Sequence, residues 1–148
     1  MIYFVDEDVA QIGAWATTIR IRGYKTCIIR DADQAYEQLK SCDDIELVFI
    51  DVMLAASPDP QKRRFLSETT DDFHSTGLEL LKELNAQRPL TFPSKAVLLS
   101  HTGRQNILAK IDRACEQFKI PFWRKRSFSD LHEFSSKAEQ YLNSLKRV

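Results

Sequence analysis

Four places in this 148-residue sequence set chemically active side chains directly after a short apolar run. "IYFV" is followed by Asp6, Glu7 and Asp8, and "ELVFI" by Asp51. "KAVLL" is followed by Ser100, His101 and Thr102, and "IPFW" by Arg124, Lys125 and Arg126. A carboxylate beside a core is costly unless something pairs with it or uses it. If the apolar runs are parallel strands, all four groups share one edge of a sheet. Carboxylates gathered there raise one another's pKa unless a cation offsets them. Hard oxygen donors with room for water suit Mg²⁺. A divalent ion, an accessible carboxylate, a hydroxyl and a lysine together make a site for phosphoryl transfer, where positioning and charge neutralisation supply most of the catalysis.

The elements between these groups support that geometry. Residues 2–5, 24–29, 45–50, 95–100 and 120–123 read as strands. The continuous apolar character of the third suits a parallel sheet covered on both faces. Helical periodicity places helices at about 8–22, 31–40, 77–87, 104–117 and 129–145, with Gly23 ending the first and Asp31 capping the second. Pro89 follows the third helix, and Pro121 suits an edge strand because it cannot donate to a ladder. Five strands alternating with five helices predict a doubly wound α/β sheet with helices on both faces. Such sheets bind ligands at the carboxyl ends of their strands, near the reversal of strand order. One segment breaks the rhythm: residues 53–76 separate the third strand from its helix, longer than connections in compact domains usually are.

The stretches "IYFVDED", "LVFIDVMLA", "GLELLKEL", "AVLLSHT" and "FWRK", in this order, resemble the successive motifs of response-regulator receiver domains, the phosphoacceptor modules of two-component signalling. The resemblance spans nearly all of residues 1–148 as a single receiver domain, with 53–76 as a long inserted loop. It implies the flavodoxin-like strand order 2-1-3-4-5. It makes Asp51 the phosphoacceptor. Asp6 and Glu7 match the acidic pair that holds Mg²⁺, with the Asp51 carboxylate and the Met53 main-chain carbonyl completing the protein ligands. Ser100 matches the hydroxyl that turns toward the phosphoryl oxygens, and Lys125 the lysine that contacts them. Phe122 matches the aromatic that, with Ser100, couples phosphorylation to the surface of helix four, strand five and helix five. The implied partners are a sensor histidine kinase or phosphotransfer protein, a downstream protein target or fused output domain, and a second copy in a homodimer.

Three features depart from the family pattern. His101 stands where a very small residue is favoured, Arg126 stands where a proline normally follows the lysine through a cis bond, and 53–76 adjoins Asp51. They motivate an alternative reading, a pseudo-receiver that binds proteins without phosphorylation. A further alternative comes from "VDEDVA", which offers the D-x-D of haloacid-dehalogenase-type phosphohydrolases, with Asp6 attacking and Asp8 as acid/base; it leaves Asp51 unexplained. Taken singly, each group also has an ordinary reading. Asp8 is a natural cap for the first helix, Phe122 a core residue, and Arg124 to Arg126 a solvated run.

Composition narrows the remaining classes. With 21 basic and 21 acidic residues the formal net charge is zero, which gives no support for direct nucleic-acid or membrane-surface binding. Cys27, Cys42 and Cys115 are odd in number and widely spaced, so they are expected to be reduced and buried. His74, His101 and His132 are too scattered for a metal triad. No apolar stretch reaches the length of a membrane span, and the N-terminus turns acidic at once instead of forming a signal peptide. The expectation is a cytoplasmic signalling module that turns over no metabolite and carries no evident output domain.

Overall fold

A computed structural model describes residues 1–87 and 95–147. The elements run β1 (Ile2–Val5), α1 (Val9–Ile21), β2 (Thr26–Ile29), α2 (Ala32–Leu39), β3 (Leu47–Ile50), α3 (Thr76–Gln87), β4 (Ala96–Ser100), α4 (Gln105–Phe118), β5 (Phe122–Arg124) and α5 (Leu131–Lys146). The strands form one parallel sheet in the order β2-β1-β3-β4-β5, as expected for the doubly wound fold. Pro89 lies outside the described residues.

Alternation along the strands divides the core into two layers. Ile2, Phe4, Leu47, Phe49, Val97 and Leu99 face α1 and α5. There Phe4 stacks on Phe49 at 5.0 Å, and Phe134 packs 5.3 Å from Phe49. Tyr3, Val5, Val48, Ile50 and Leu98 face α2, α3 and α4. Helix ends follow the polar cues. Asp31 accepts from Gln34 N–H at 2.7 Å and Asp130 from Glu133 N–H at 2.8 Å, while Gly23 (φ +96°) turns the chain out of α1.

Some expectations need correction. Strands two, three and five begin at Thr26, Leu47 and Phe122, each two residues later than expected, the last because α4 ends through Lys119 in the left-handed conformation (φ 57°). Pro121 then contributes only its carbonyl, which accepts from Leu98 N–H at 3.1 Å. Cys27, Cys42 and Cys115 form no disulfide among the described residues, but all three are partly exposed and not buried. Cys27 sits on edge strand β2, and the Cys42 thiol donates to Asp44 at 2.8 Å in the turn before β3.

The 53–76 segment is packed against the domain. Asp33 in α2 is 4% exposed, and its carboxylate accepts from Ser57 N–H at 2.9 Å, from Arg64 N–H, and from Phe65 N–H at 3.2 Å. These bonds seat Phe65 in the α2–α3 layer. Arg64 lies over the Tyr36 ring at 4.0 Å and pairs with Glu83 of α3 at 2.7 Å. Three main-chain donors on one buried carboxylate make Asp33 the main anchor of the segment. Asp33→Ala should lower stability by about 2–4 kcal/mol. Urea denaturation reads that loss, and hydrogen exchange should show faster opening of 57–65 than of the sheet.

Candidate functional site

The ladder continues one residue past two central strands and so fixes two carboxylates. Asp6 N–H donates to Ile29 carbonyl at 3.0 Å, and Asp51 N–H to Val5 carbonyl at 3.0 Å. Register does the rest: Val5 pairs with Ile50, Ile50 with Leu98, and Ser100 with Arg124. The ends of β1, β3, β4 and β5 therefore meet at one edge. Lys125 reaches back under them, 2.5 Å from Asp6 Oδ2 and 3.3 Å from Asp51 Oδ2. Ser100 Oγ donates to Asp51 Oδ1 at 2.8 Å, and Met53 N–H donates to the same oxygen at 3.1 Å. Asp6 Oδ1 accepts from Asp8 N–H at 2.9 Å. Asp6, Ser100 and Lys125 are buried, whereas the Asp51 side chain remains 13% exposed to a cavity of about 170 Å³.

The electrostatics are unbalanced. Burial pushes the Asp51 carboxyl up to about 6; Asp6 adds to the rise, and Lys125, Ser100 and the Met53 N–H oppose it. Burial acts to lower the Lys125 pKa, but the Asp51 and Asp6 carboxylates outweigh it and hold the ammonium above its ordinary value. At the rim, burial and then the Asp6 and Asp8 charges raise Glu7. Two carboxylates against one ammonium leave the floor of the cavity net negative, with Glu7 adding to it. That donor chemistry fits a small hard cation: Asp6, Glu7, Asp51 and the Met53 carbonyl offer oxygens only, and the open side admits water. Among the described residues no three His, Cys, Asp or Glu side chains stand close enough together to hold a metal ion by themselves.

Other expected residues fall as follows. Phe122 is partly buried at the edge strand, with the Arg124 guanidinium 5.8 Å from its ring. His101 is exposed at the rim, where burial and then the Lys125 and Arg126 charges push its imidazole pKa down, against Asp6 and Asp8. No described peptide bond is cis, and residues Lys125–Ser127 form a short 3₁₀ turn that carries Arg126 outward. Past Met53, no residue of 53–76 lines the cavity, so this segment does not roof the site. Asp8 caps α1, accepting from Gln11 N–H at 3.2 Å, and both Asp6 oxygens are engaged; this weighs against the D-x-D hydrolase reading.

Comparison with solved structures gives full-length matches. A CheY-like response regulator receiver domain protein from Methanospirillum hungatei JF-1 is 16% identical, covering 99% of this chain and 95% of its own, with a TM-score of 0.69. The fold is that of response-regulator receiver domains. The receiver domain of NtrX from Brucella abortus is 26% identical over 97% of this chain and 98% of its own, with a TM-score of 0.64. A response regulator from Burkholderia pseudomallei, solved with a phosphorylated aspartic acid, a calcium ion and citrate, is 15% identical over 94% of this chain and 70% of its own, with a TM-score of 0.58. No protein-family model and no curated protein matches the sequence. No helix among the described residues is long and apolar enough to cross a membrane.

Within this receiver fold, one positioning residue was absent from the expected site. Gly77 N–H donates to the Val52 carbonyl at 2.8 Å, and a Cβ at Gly77 would stand 2.1 Å from the Asp51 carbonyl oxygen. Its only sequence signal is a glycine in the first turn of a strong amphipathic helix. Gly77→Ala should displace the 51–52 backbone and destabilise the fold by about 2–4 kcal/mol, read by thermal denaturation. Asp51→Asn should act in the opposite direction. The folded carboxyl binds a proton more tightly than the unfolded one, so stability falls as pH rises toward and through about 6. In metal-free buffer at pH 8 the Asn variant should gain about 1–3 kcal/mol, and the gain should shrink by pH 4. An equal difference at both pH values would contradict the assigned burial of this charge.

Proposed function

We propose that this chain is a receiver whose Asp51 accepts a phosphoryl group from a sensor histidine kinase or phosphotransfer protein. The observation that carries the reading is the meeting of Asp6, Asp51, Ser100 and Lys125 at an open strand edge. An Asp51 oxygen attacks phosphorus and forms a new P–O bond. The donor's P–N bond (for phosphohistidine) or P–O bond (for an acyl phosphate) breaks, and imidazole or carboxylate departs with the bonding pair. Lys125 is positioned to neutralise the added charge, Asp6 holds that ammonium, and the Ser100 hydroxyl can turn from the carboxylate to a phosphoryl oxygen. Mg²⁺ held by Asp6, Glu7, Asp51 and the Met53 carbonyl would supply the charge neutralisation that the net-negative floor calls for. The protein turns over no metabolite; it catalyses only its own phosphorylation and dephosphorylation.

The signal leaves through the surface of α4, β5 and α5. Ser100 ends β4 and Phe122 opens β5, so a change at the hydroxyl passes to the edge strand by one pairing step, Leu98 to Phe122. The downstream partner is a protein target or a fused output domain, and the setting is the cytoplasm. A phosphorylation-independent interaction module remains the second reading, favoured by the small cavity and by His101 at its rim.

Intact-mass spectrometry after incubation with Mg²⁺ and acetyl phosphate should show a gain of one phosphoryl group. Asp51→Asn should abolish the gain, and Lys125→Ala should reduce it by about 10²-fold or more. No gain under any donor, with beryllofluoride also failing to perturb the Asp51 pocket, would favour the interaction module.

A further inference from the structure

The turn that closes the 53–76 segment holds its backbone in an uncommon shape. Asp71, Asp72 and Phe73 are all left-handed, with φ of 51°, 52° and 66°. L-residues visit that region singly, and a bulky aromatic there is an outlier. Such strain persists only where the surroundings over-determine it. Buried Thr70 is one source. Its hydroxyl donates to the Leu66 carbonyl at 2.7 Å and accepts from Phe73 N–H at 3.1 Å, and its carbonyl accepts from Ser75 N–H at 2.9 Å. The other source is α4, where the Asn106 side-chain amide donates to Asp71 Oδ2 at 2.9 Å.

That second contact also serves α4. Arg104, at the N-cap position of α4, makes no side-chain bond to the helix, so the first turn has no cap of its own. Asp71 brings a carboxylate beside this turn from outside the helix, where the macrodipole favours negative charge. Both ends of the arrangement lead back to Asp51. After the turn, Gly77 N–H donates to the Val52 carbonyl at 2.8 Å. On the α4 side, Thr102 N–H donates at 3.4 Å to Ser100 Oγ, the hydroxyl bonded to Asp51. Among the described residues, His74 Nδ1 and Thr76 Oγ1 are buried in the same turn without a hydrogen-bond partner. A strained turn with two unpaired polar atoms gains by relaxing, and the Asp71–Asn106 bond opposes that.

We propose that residues 70–76 form an autoinhibitory clasp: Asp71 pins the first turn of α4 in its resting arrangement, and phosphorylation of Asp51 releases it. When Ser100 turns to a phosphoryl oxygen, Thr102 N–H loses its acceptor, and the shifted connection into α4 draws Asn106 from Asp71. Strain in 71–73 lowers the cost of that release. By linkage, a loosened clasp favours the phosphorylated state and a tightened clasp opposes it. The proposal rests on Asp51 being the acceptor.

The test compares the full chain with Asp71→Ala, Asn106→Ala, the double variant and Asp72→Gly. Asp72 is exposed, so glycine there relieves a left-handed residue and removes no buried side chain. Hydrogen exchange without any phosphoryl mimic reads the clasp itself. Asp71→Ala should speed exchange of the 108–111 amides about fivefold, comparable to loss of a helix cap. Binding of beryllofluoride with Mg²⁺, followed by ¹⁹F NMR, reads the coupling. Asp71→Ala and Asn106→Ala should each tighten binding about fivefold, and the double variant no further, because both remove one contact. Asp72→Gly should weaken binding about threefold, since a turn at ease in the left-handed region grips harder.

Wild-type binding with unchanged affinity in Asp71→Ala would overturn the clasp and leave Asp51 as acceptor. Unchanged exchange at 108–111 in that variant would overturn the pinning of α4. A shift in Asp72→Gly in the same direction as Asp71→Ala would overturn the role of strain. No binding of beryllofluoride by wild type or any variant would remove the phosphoacceptor reading and the coupling with it. Binding by Asp71→Ala but not by wild type would support the clasp.

Discussion

The buried contact of Lys125 with Asp6 and Asp51 is the constraint around which this molecule is organised. An ammonium and two carboxylates out of water are tolerated only with close partners and further hydrogen bonds. Those partners come from β1, β3 and the turn after β5, segments separated by up to 119 residues. The parallel sheet is what brings them together. Its register also places Ser100 at the same level, so the hydroxyl supplies a donor that Asp51 would otherwise lack. Loss of register by one residue would exchange the side chains of the two apolar layers and move the charged set out of line.

How much of this was legible before any coordinates depends on whether a feature is local. The strand-end positions of Asp6, Asp51, Ser100 and Lys125 follow from apolar runs that stop at a polar residue, and the alternation of strands and helices supplies the rest of the fold. Gly77 was unreadable as a site residue because its requirement arises from the 51–52 backbone passing over α3, a tertiary contact. The Asp71–Asn106 contact joins two elements whose side chains carry no mutual signal in sequence. Asp33 carries no signal in the sequence beyond being an acidic residue in the first turn of α2. Its anchoring role exists only once the 53–76 segment folds back onto it. The start of β5 shifted because the left-handed residue at Lys119 is not one that composition marks.

The long connection after β3 illustrates how an extended segment can be held without lining the site. It leaves at Met53, beside the cavity, and returns at Thr76, beside Gly77. Between these points it is held by Asp33, by Arg64 over Tyr36 and against Glu83, and by Asn106 of α4 donating to Asp71 at 2.9 Å. The loop-closure cost of such a segment grows slowly with length, so a few buried anchors suffice. Phe65 and Leu54 enter the existing α2–α3 layer in place of a separate core. The segment thus adds to the α2–α3 flank, whereas the α1 and α5 side is a compact aromatic layer.

The electrostatic imbalance at the strand edge and the proposed chemistry have the same origin. Burial raises the Asp51 pKa, with the Asp6 charge adding to the rise and Lys125 opposing it, which is a cost to the fold. Phosphorylation would replace one carboxylate charge by about −1.5 to −2, deepening the demand for positive charge at the same point. The added charge can be met only by a cation or by donors that move, and the movable donor in reach is Ser100, bonded to Asp51 Oδ1 in this structure. A hydroxyl drawn from the carboxylate to a phosphoryl oxygen alters packing at the end of β4, and β5 is the strand paired to it. Under the proposed function, a destabilised charge at Asp51 and a shift of the edge strand on phosphorylation would therefore both follow from burying that carboxylate beside Asp6, Lys125 and Ser100.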